Sequence, residues 1–165
     1  MNRTCKLATA AAFSLVVAGL ALSGLFSFPT ALAMGSDAPA DSVTALPGYK
    51  SAEALIAEKK YAEAITELNA LNKPDDANVL NLLGYTHRMS GKVDEGIAFY
   101  IKALEKDSNH KGAYEYLGEA YLMKNDLANA EATYVKLKDL CGYFGCDEEK
   151  ELAAEIDAYK KKQGS

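Results

Sequence analysis

Residues 77–110 read ANVLNLLGYTHRMSGKVDEGIAFYIKALEKDSNH, and residues 111–144 read KGAYEYLGEAYLMKNDLANAEATYVKLKDLCGYF. Each stretch is 34 residues long, and the two adjoin without a gap. Laid one over the other they share Leu83/Leu117, Gly84/Gly118, Met89/Met123, Ala98/Ala132, Tyr100/Tyr134 and Lys102/Lys136. A fixed period of this size marks a helical solenoid. One helical hairpin cannot bury its own apolar face and becomes stable only by stacking on the next. Glycine inside a helix costs about 1 kcal/mol relative to alanine. Its return at Gly84 and Gly118 therefore predicts a neighbouring helix pressed close at both positions.

Upstream, a weaker unit occupies residues 45–76. Its second half, YAEAITELNAL, sets Ala64 against Gly96 and Ala130, and Leu68 against Tyr100 and Tyr134. Ala64 and Gly96 are 32 residues apart, so this unit is two residues short around Lys73–Asp76. The apolar spacing predicts helices over 49–59, 61–72, 77–90, 93–106, 111–124 and 127–140. Gly91 and Asn125 mark turns inside units, and Pro74 and Asn109 fall between them. Downstream, residues 147–162 predict a seventh helix, with Leu152, Ile156 and Tyr159 on one stripe and charge nearly everywhere else. Asp147 stands where it can cap that helix, Glu148 and Glu149 favour its positive end, and Lys160–Lys162 its negative end. Such a helix covers the apolar face that the last unit of a stack leaves open. No stretch alternates with period two for long enough to predict a strand. The chain is expected to be all-α.

The units resemble the tetratricopeptide repeat (TPR), whose pattern is Trp-x2-Leu-Gly-x2-Tyr, then Ala-x3-Phe, then a closing Pro. The last unit matches with Tyr114, Leu117, Gly118, Tyr121, Ala130 and Tyr134, and the middle unit with Leu80, Leu83, Gly84, His87, Gly96 and Tyr100. The first unit has Ser51 and Ala52 in place of the Leu-Gly pair, and Ser108 replaces the closing Pro of the middle unit. The resemblance covers about 100 residues. It implies a TPR helical-hairpin solenoid of two to three repeats with a C-terminal capping helix. It also implies a non-catalytic protein–protein interaction role, with the first helix of each repeat lining a concave, peptide-binding groove. In the middle unit Asn78, Asn81, Tyr85 and Arg88 recur at spacings of 3, 4 and 3, one stripe of one helix. Their counterparts include Glu115 and Glu119 in the last unit and Tyr49, Glu53 and Ile56 in the first. Asn78, Asn81, Tyr85, Arg88, Glu115 and Glu119 are thus the candidate groove residues. The plainer alternative is a solvated helix face, for the stripe and for the Glu115/Glu119 pair alike. The carboxylate clamp of chaperone-binding members uses several Lys, Arg and Asn residues; with Arg88 as the lone base here, that ligand class is not supported.

The N-terminal residues have a different character. Arg3 and Lys6 precede an apolar stretch, Leu7–Phe28, and Ala31-Leu32-Ala33 is a small-x-small cleavage site. This is the layout of a secretory signal peptide cut after Ala33. The 22 residues of Leu7–Phe28 are also long enough for the alternative, an uncleaved anchor in the inner membrane. Residues 34–48 are small, polar and Pro-containing, the composition of a flexible linker ahead of repeats at 49–144 and the capping helix and tail at 145–165. Removal of Arg3 and Lys6 takes the formal net charge from −5 to −7. Such a balance argues against nucleic acid and anionic membranes as partners.

Export removes Cys5 and leaves Cys141 and Cys146, in CGYFGC. In an oxidising compartment these predict a structural disulfide between the last repeat and the capping helix. A redox pair favours Cys-x-x-Cys, and haem attachment needs Cys-x-x-Cys-His. A zinc site would need two more ligands, whereas His87 and His110 lie in an earlier unit. His87, where the pattern expects Tyr, is expected to pack in the core, and His110 to be exposed. No phosphate loop, nucleophile elbow or His-Glu-x-x-His is present. The expectation is therefore no catalytic residue, cofactor, metal or small-molecule substrate. It is instead an exported adaptor, periplasmic or secreted, for an unidentified protein or peptide. A self-assembling envelope scaffold built of homo-oligomers is the second reading, and a thiol-redox protein using Cys141 and Cys146 the third.

Overall fold

The computed structural model describes residues 42–164. The signal segment, its cleavage point, the alternative anchor and Cys5 lie outside the described residues. Among the described residues there are seven α-helices and no strand: α1 (Pro47–Ala57), α2 (Tyr61–Ala70), α3 (Ala77–Met89), α4 (Val93–Lys106), α5 (Lys111–Met123), α6 (Leu127–Cys141) and α7 (Asp147–Gln163). None of them is long and apolar enough to cross a membrane.

Each hairpin closes in the same way. Lys59, Gly91 and Asn125 sit just past α1, α3 and α5 with φ of 60°, 88° and 60°. The following N–H reaches back across the turn, from Lys60 to Leu55 O, Lys92 to His87 O and Asp126 to Tyr121 O, at 2.8, 3.0 and 2.9 Å. This left-handed C-terminal motif satisfies carbonyls that the helix end would leave bare. N-termini are capped by side chains at three places. Asp76 Oδ1 accepts from the N–H groups of Asn78 and Val79, Asp126 Oδ1 from Asn129, and His110 Nδ1 from Ala113. His110 is thus half-buried and occupied as a cap, not exposed.

Two boundaries differ from the expectation. The chain is ordered into the fold before Tyr49: a 3-10 turn at Val43–Ala45 leads into α1, which begins at Pro47. Val43 is 4% exposed and packs in one cluster with Tyr49, Ala52, Leu68, Val79 and Leu83. The last part of the 34–48 segment is therefore structure, not linker. Pro47 at the first helical position gives up only an N–H that has no intrahelical partner. At α7 the cap position is Cys146, and Asp147 stands inside the first turn. There it acts through the helix dipole rather than as the cap.

The helices form two layers. The first helices of successive hairpins touch one another, α3 with α5 and α5 with α7. No comparably close contact joins α2 to α4 or α4 to α6. The layer of α3, α5 and α7 is accordingly the inner, concave side, and α1 is joined to α3 through Tyr49 and Ala52, clustered with Val79 and Leu83. The close approaches signalled by glycine are present but have different causes. A Cβ at Gly84 would lie 2.6 Å from the Tyr100 ring, within the same hairpin, whereas at Gly118 it would lie 2.6 Å from Leu152 of α7. Leu152 and Ile156 are buried with Leu122, Ala130 and Leu137. Fully burying a leucine contributes about 1.5–3 kcal/mol, which is what makes α7 an effective cap. Cys141 and Cys146, Cα–Cα 5.3 Å, are joined by a disulfide that ties the end of α6 to the start of α7. The short ring they close carries Tyr143 and Phe144 on the surface.

Candidate functional site on the inner helix layer

The inner layer brings together the stripe of α3, its counterpart on α5 and one side of α7. On α3, the helical spacing sets Asn78, Asn81 and Tyr85 half-buried along the inner side. Asn81 Oδ1 is enclosed and makes no hydrogen bond among the described residues. The Tyr85 ring meets Tyr116 of α5, centroids 5.2 Å apart, and Tyr116 meets Tyr100 of α4 at 6.1 Å.

Arg88 does not stand open in this groove. It is 7% exposed. Its Nη1 pairs with Glu119 Oε2 at 2.7 Å and its Nε donates to Tyr100 Oη at 3.2 Å. The guanidinium also lies over the rings of Tyr85 and Tyr116, at 5.3 and 5.5 Å. Burial opposes its charge, but Tyr100 and Glu119 overcome that and hold its pKa above the ordinary value. Arg88 and Glu119, two of the candidate ligand-facing residues, are thus mainly partners of each other. A surface-facing position on an isolated helix becomes interior once α5 and the Tyr100 ring close around it.

Glu115 departs from the expectation as well. It is 5% exposed, not part of a solvated face. Burial first, then a hydrogen bond with Glu151 of α7 and the charges of Glu119, Glu151 and Glu148, push its carboxyl up to about 8. Burial among acidic neighbours thus favours its protonated form. Glu119 is also raised, by burial first; Arg88 pulls it down, while Glu155 and Glu151 push it up. Burial likewise raises Tyr49 to about 12, helped by Glu53, Asp76 and Tyr116. Tyr116 rises to about 12 through burial, then Glu115, Tyr85 and Glu119. These shifts share their leading cause, burial, to which neighbouring carboxylates add.

At the end of this face a cleft of about 460 Å³ opens between α3, α5 and α7. Arg88, Glu119, Glu155 and Lys162 supply its charges, and Leu122 and Met123 its apolar floor. Tyr116, Glu151 and Glu155 belong to the site although the sequence does not single them out. Tyr116 replaces Leu82 of the preceding unit, one step off the recognised stripe. Glu151 and Glu155 stay exposed, and only the packing of α7 against α5 sets them beside Glu115 and Glu119. Among the described residues no group of three or more His, Cys, Asp or Glu is placed to hold a metal ion. His87 is half-buried, stacked on Phe99 with centroids 5.0 Å apart, and burial lowers its pKa.

The sequence profile of the tetratricopeptide repeat matches residues 49–111 and 81–141. The chain belongs to the tetratricopeptide repeat family. Its three TPR hairpins are α1/α2, α3/α4 and α5/α6, and α7 stands as a solitary further first helix. No curated protein matches the sequence. Similar solved structures include the type III secretion chaperone SycD of Yersinia enterocolitica in complex with a peptide of the translocator YopD. It shares 23% identity, covers 70% of this chain and 92% of that one, and has a TM-score of 0.60. The Sgt2 TPR domain of Aspergillus fumigatus is similar at 22% identity, covering 70% and 76%, with a TM-score of 0.61. The TPR2B domain of yeast Sti1, in its pHsp70 complex, is similar at 17% identity, covering 70% and 94%, with a TM-score of 0.63. At these identities the likeness is one of fold.

Proposed function

We propose that the chain is a non-catalytic adaptor that holds a peptide segment or a domain of a partner protein against its inner layer, after export to the periplasm. The observation that carries this reading is the inner face itself. Its curvature presents Asn78, Asn81, Tyr85 and Tyr116 side by side, partly open to solvent. The Asn78 amide and the tyrosine hydroxyls offer donors and acceptors for an extended backbone, and the rings supply contact area at low conformational cost. Peptide-bound relatives of the same fold support it. Arg88 and Glu119 are engaged with each other in an ion pair, which leaves the Asn78 amide and the tyrosines as the open polar groups of this face. The signal-like start and a disulfide of a kind favoured in oxidising compartments support export.

The test is affinity capture from the host's envelope fraction with the wild type and an Asn81→Ala/Tyr85→Ala variant. Arg88 is left intact because it belongs to the fold. A partner lost with the variant, at unchanged helicity and melting, is the expected outcome. Equal recovery by both proteins would remove the groove from consideration.

A further inference from the structure

We propose that the occupant of the inner face is a cationic segment, a stretch of a partner protein whose Lys or Arg side chains lie along Glu148, Glu151 and Glu155 of α7 while the segment runs over Tyr85 and Tyr116. The inference rests on the reading of this face as the binding groove and adds the chemistry of the ligand.

The charge on α7 is sorted by side. Towards α6, Glu149 Oε1 accepts from Tyr134 Oη at 2.6 Å and Lys160 pairs with Glu131 at 2.6 Å. Lys150 pairs with Asp147 on its own helix. Towards the inner face, Glu148 and Glu151 act on Glu115, and Glu151 and Glu155 act on Glu119. Spacings of 3 and 4 keep Glu148, Glu151 and Glu155 on one side of the helix. Opposite them, one turn apart on α5, stand Glu115 and Glu119. The cations placed among these five carboxyls are Arg88, spent on Glu119, and Lys162 at the mouth of the cleft. Glu53 of α1, beside Tyr49, continues the same sign towards the other end. A groove lined by one sign of charge raises the local concentration of the opposite sign and orders its approach. The rings are suitable as well, since the faces of Tyr85 and Tyr116 already accept the Arg88 guanidinium. An acidic segment would have to take Arg88 from Glu119 and would then face four other carboxyls.

Binding of a cation here is coupled to a proton. Glu115 is faced by Glu119 and Tyr116 of its own helix and by Glu148 and Glu151 of α7; Arg88 and Tyr85 of α3 and Tyr100 of α4 stand beyond Glu119 and Tyr116. A positive charge arriving beside Glu151 favours the ionised form of Glu115, so binding at neutral pH releases a proton.

Fluorescence anisotropy with Lys-rich, Glu-rich and Ser/Gly peptides of equal length tests the proposal. The Lys-rich peptide is expected to bind best, more weakly as salt is added. Glu151→Gln and Glu155→Gln should each weaken it about fivefold, the upper end for an exposed ion pair. Two outer-layer controls, Glu63→Gln and Glu105→Gln, each remove the same single charge and should leave binding unchanged. Calorimetry in buffers of different ionisation heat should show proton release that is lost in Glu115→Gln. Equal binding of all three peptides, equal effects of the inner and outer variants, or no binding of the Lys-rich peptide would each overturn the cationic ligand. If the Ser/Gly or Glu-rich peptide binds instead and Tyr85→Ala abolishes it, the groove stands and only its charge preference fails.

Discussion

Replacement of Arg88 by methionine distinguishes a side chain that waits for a ligand from one that holds the fold. Methionine keeps an unbranched stem among Tyr85, Tyr100 and Tyr116 and removes only the charge and its donors. The loss includes the 2.7 Å pair with Glu119, the bond to Tyr100 Oη and two ring contacts. Removing one partner of a fully buried ion pair costs about 3–5 kcal/mol, because a lone charge remains in a dry site. The Arg88 side chain is 8% exposed but that of Glu119 is 22% exposed, so water reaches the orphaned carboxylate and the lower end applies. The ring contacts add about 0.5–1 kcal/mol each, part of which the thioether restores. We expect Arg88→Met to destabilise the ligand-free protein by about 3 kcal/mol, read as a shift of the urea midpoint by circular dichroism at constant m-value. Adding Glu119→Met should recover at least half of the loss, since no charge is then stranded. A midpoint shift worth less than about 1 kcal/mol would refute the reasoning, because it is the size expected of an exposed pair. Arg88 would then be available to a ligand after all.

Two further outcomes follow from the same structure. A carboxyl raised from 4.5 to about 8 on folding gives stability that is complete below the unfolded value and is lost as pH rises through the folded one. At 1.36 kcal/mol per unit the ceiling is about 5 kcal/mol, and with the exposed Glu151 sharing the site we expect a loss of about 2 kcal/mol between about pH 5 and about pH 8. Glu115→Gln should abolish most of that slope in urea titrations across the range; an unchanged slope would show that Glu115 is not its source. Lys59 occupies a left-handed position, φ 60°, that Gly91 fills in the next hairpin at φ 88°. Lys59→Gly should therefore stabilise by about 0.5–1 kcal/mol and Gly91→Ala destabilise by about 1 kcal/mol in thermal melts. The latter has open space around its Cβ, so a neutral result would deny the backbone explanation.

Much of this molecule is a local matter and is therefore legible in the sequence. Helix faces and hairpin turns depend on residues within a few positions of one another, and the 34-residue period repeats those local choices. Gly84, Gly118, Leu152 and Ile156 reveal where helices press together because each solves a packing problem with a single residue type. Val43 was hidden by its neighbours: one buried side chain within a small, polar stretch leaves no periodic trace. Asn78, Asn81 and Tyr85 lie on the inner face, but the stripe that contains them says nothing of what else reaches it. Arg88 pairs with a residue 31 positions away, and Glu115 feels the charge of one 36 positions away. Neither partner belongs to the recognised pattern of spacing. By itself the sequence determined the all-α repeat architecture, its turns and its capping helix. The tertiary structure alone decided that Arg88 is consumed by Glu119, that Glu115 is buried, and that α7 adds carboxylates to the groove. Those outcomes depend on burial and on charges brought together across helices, and neither exists until the hairpins stack.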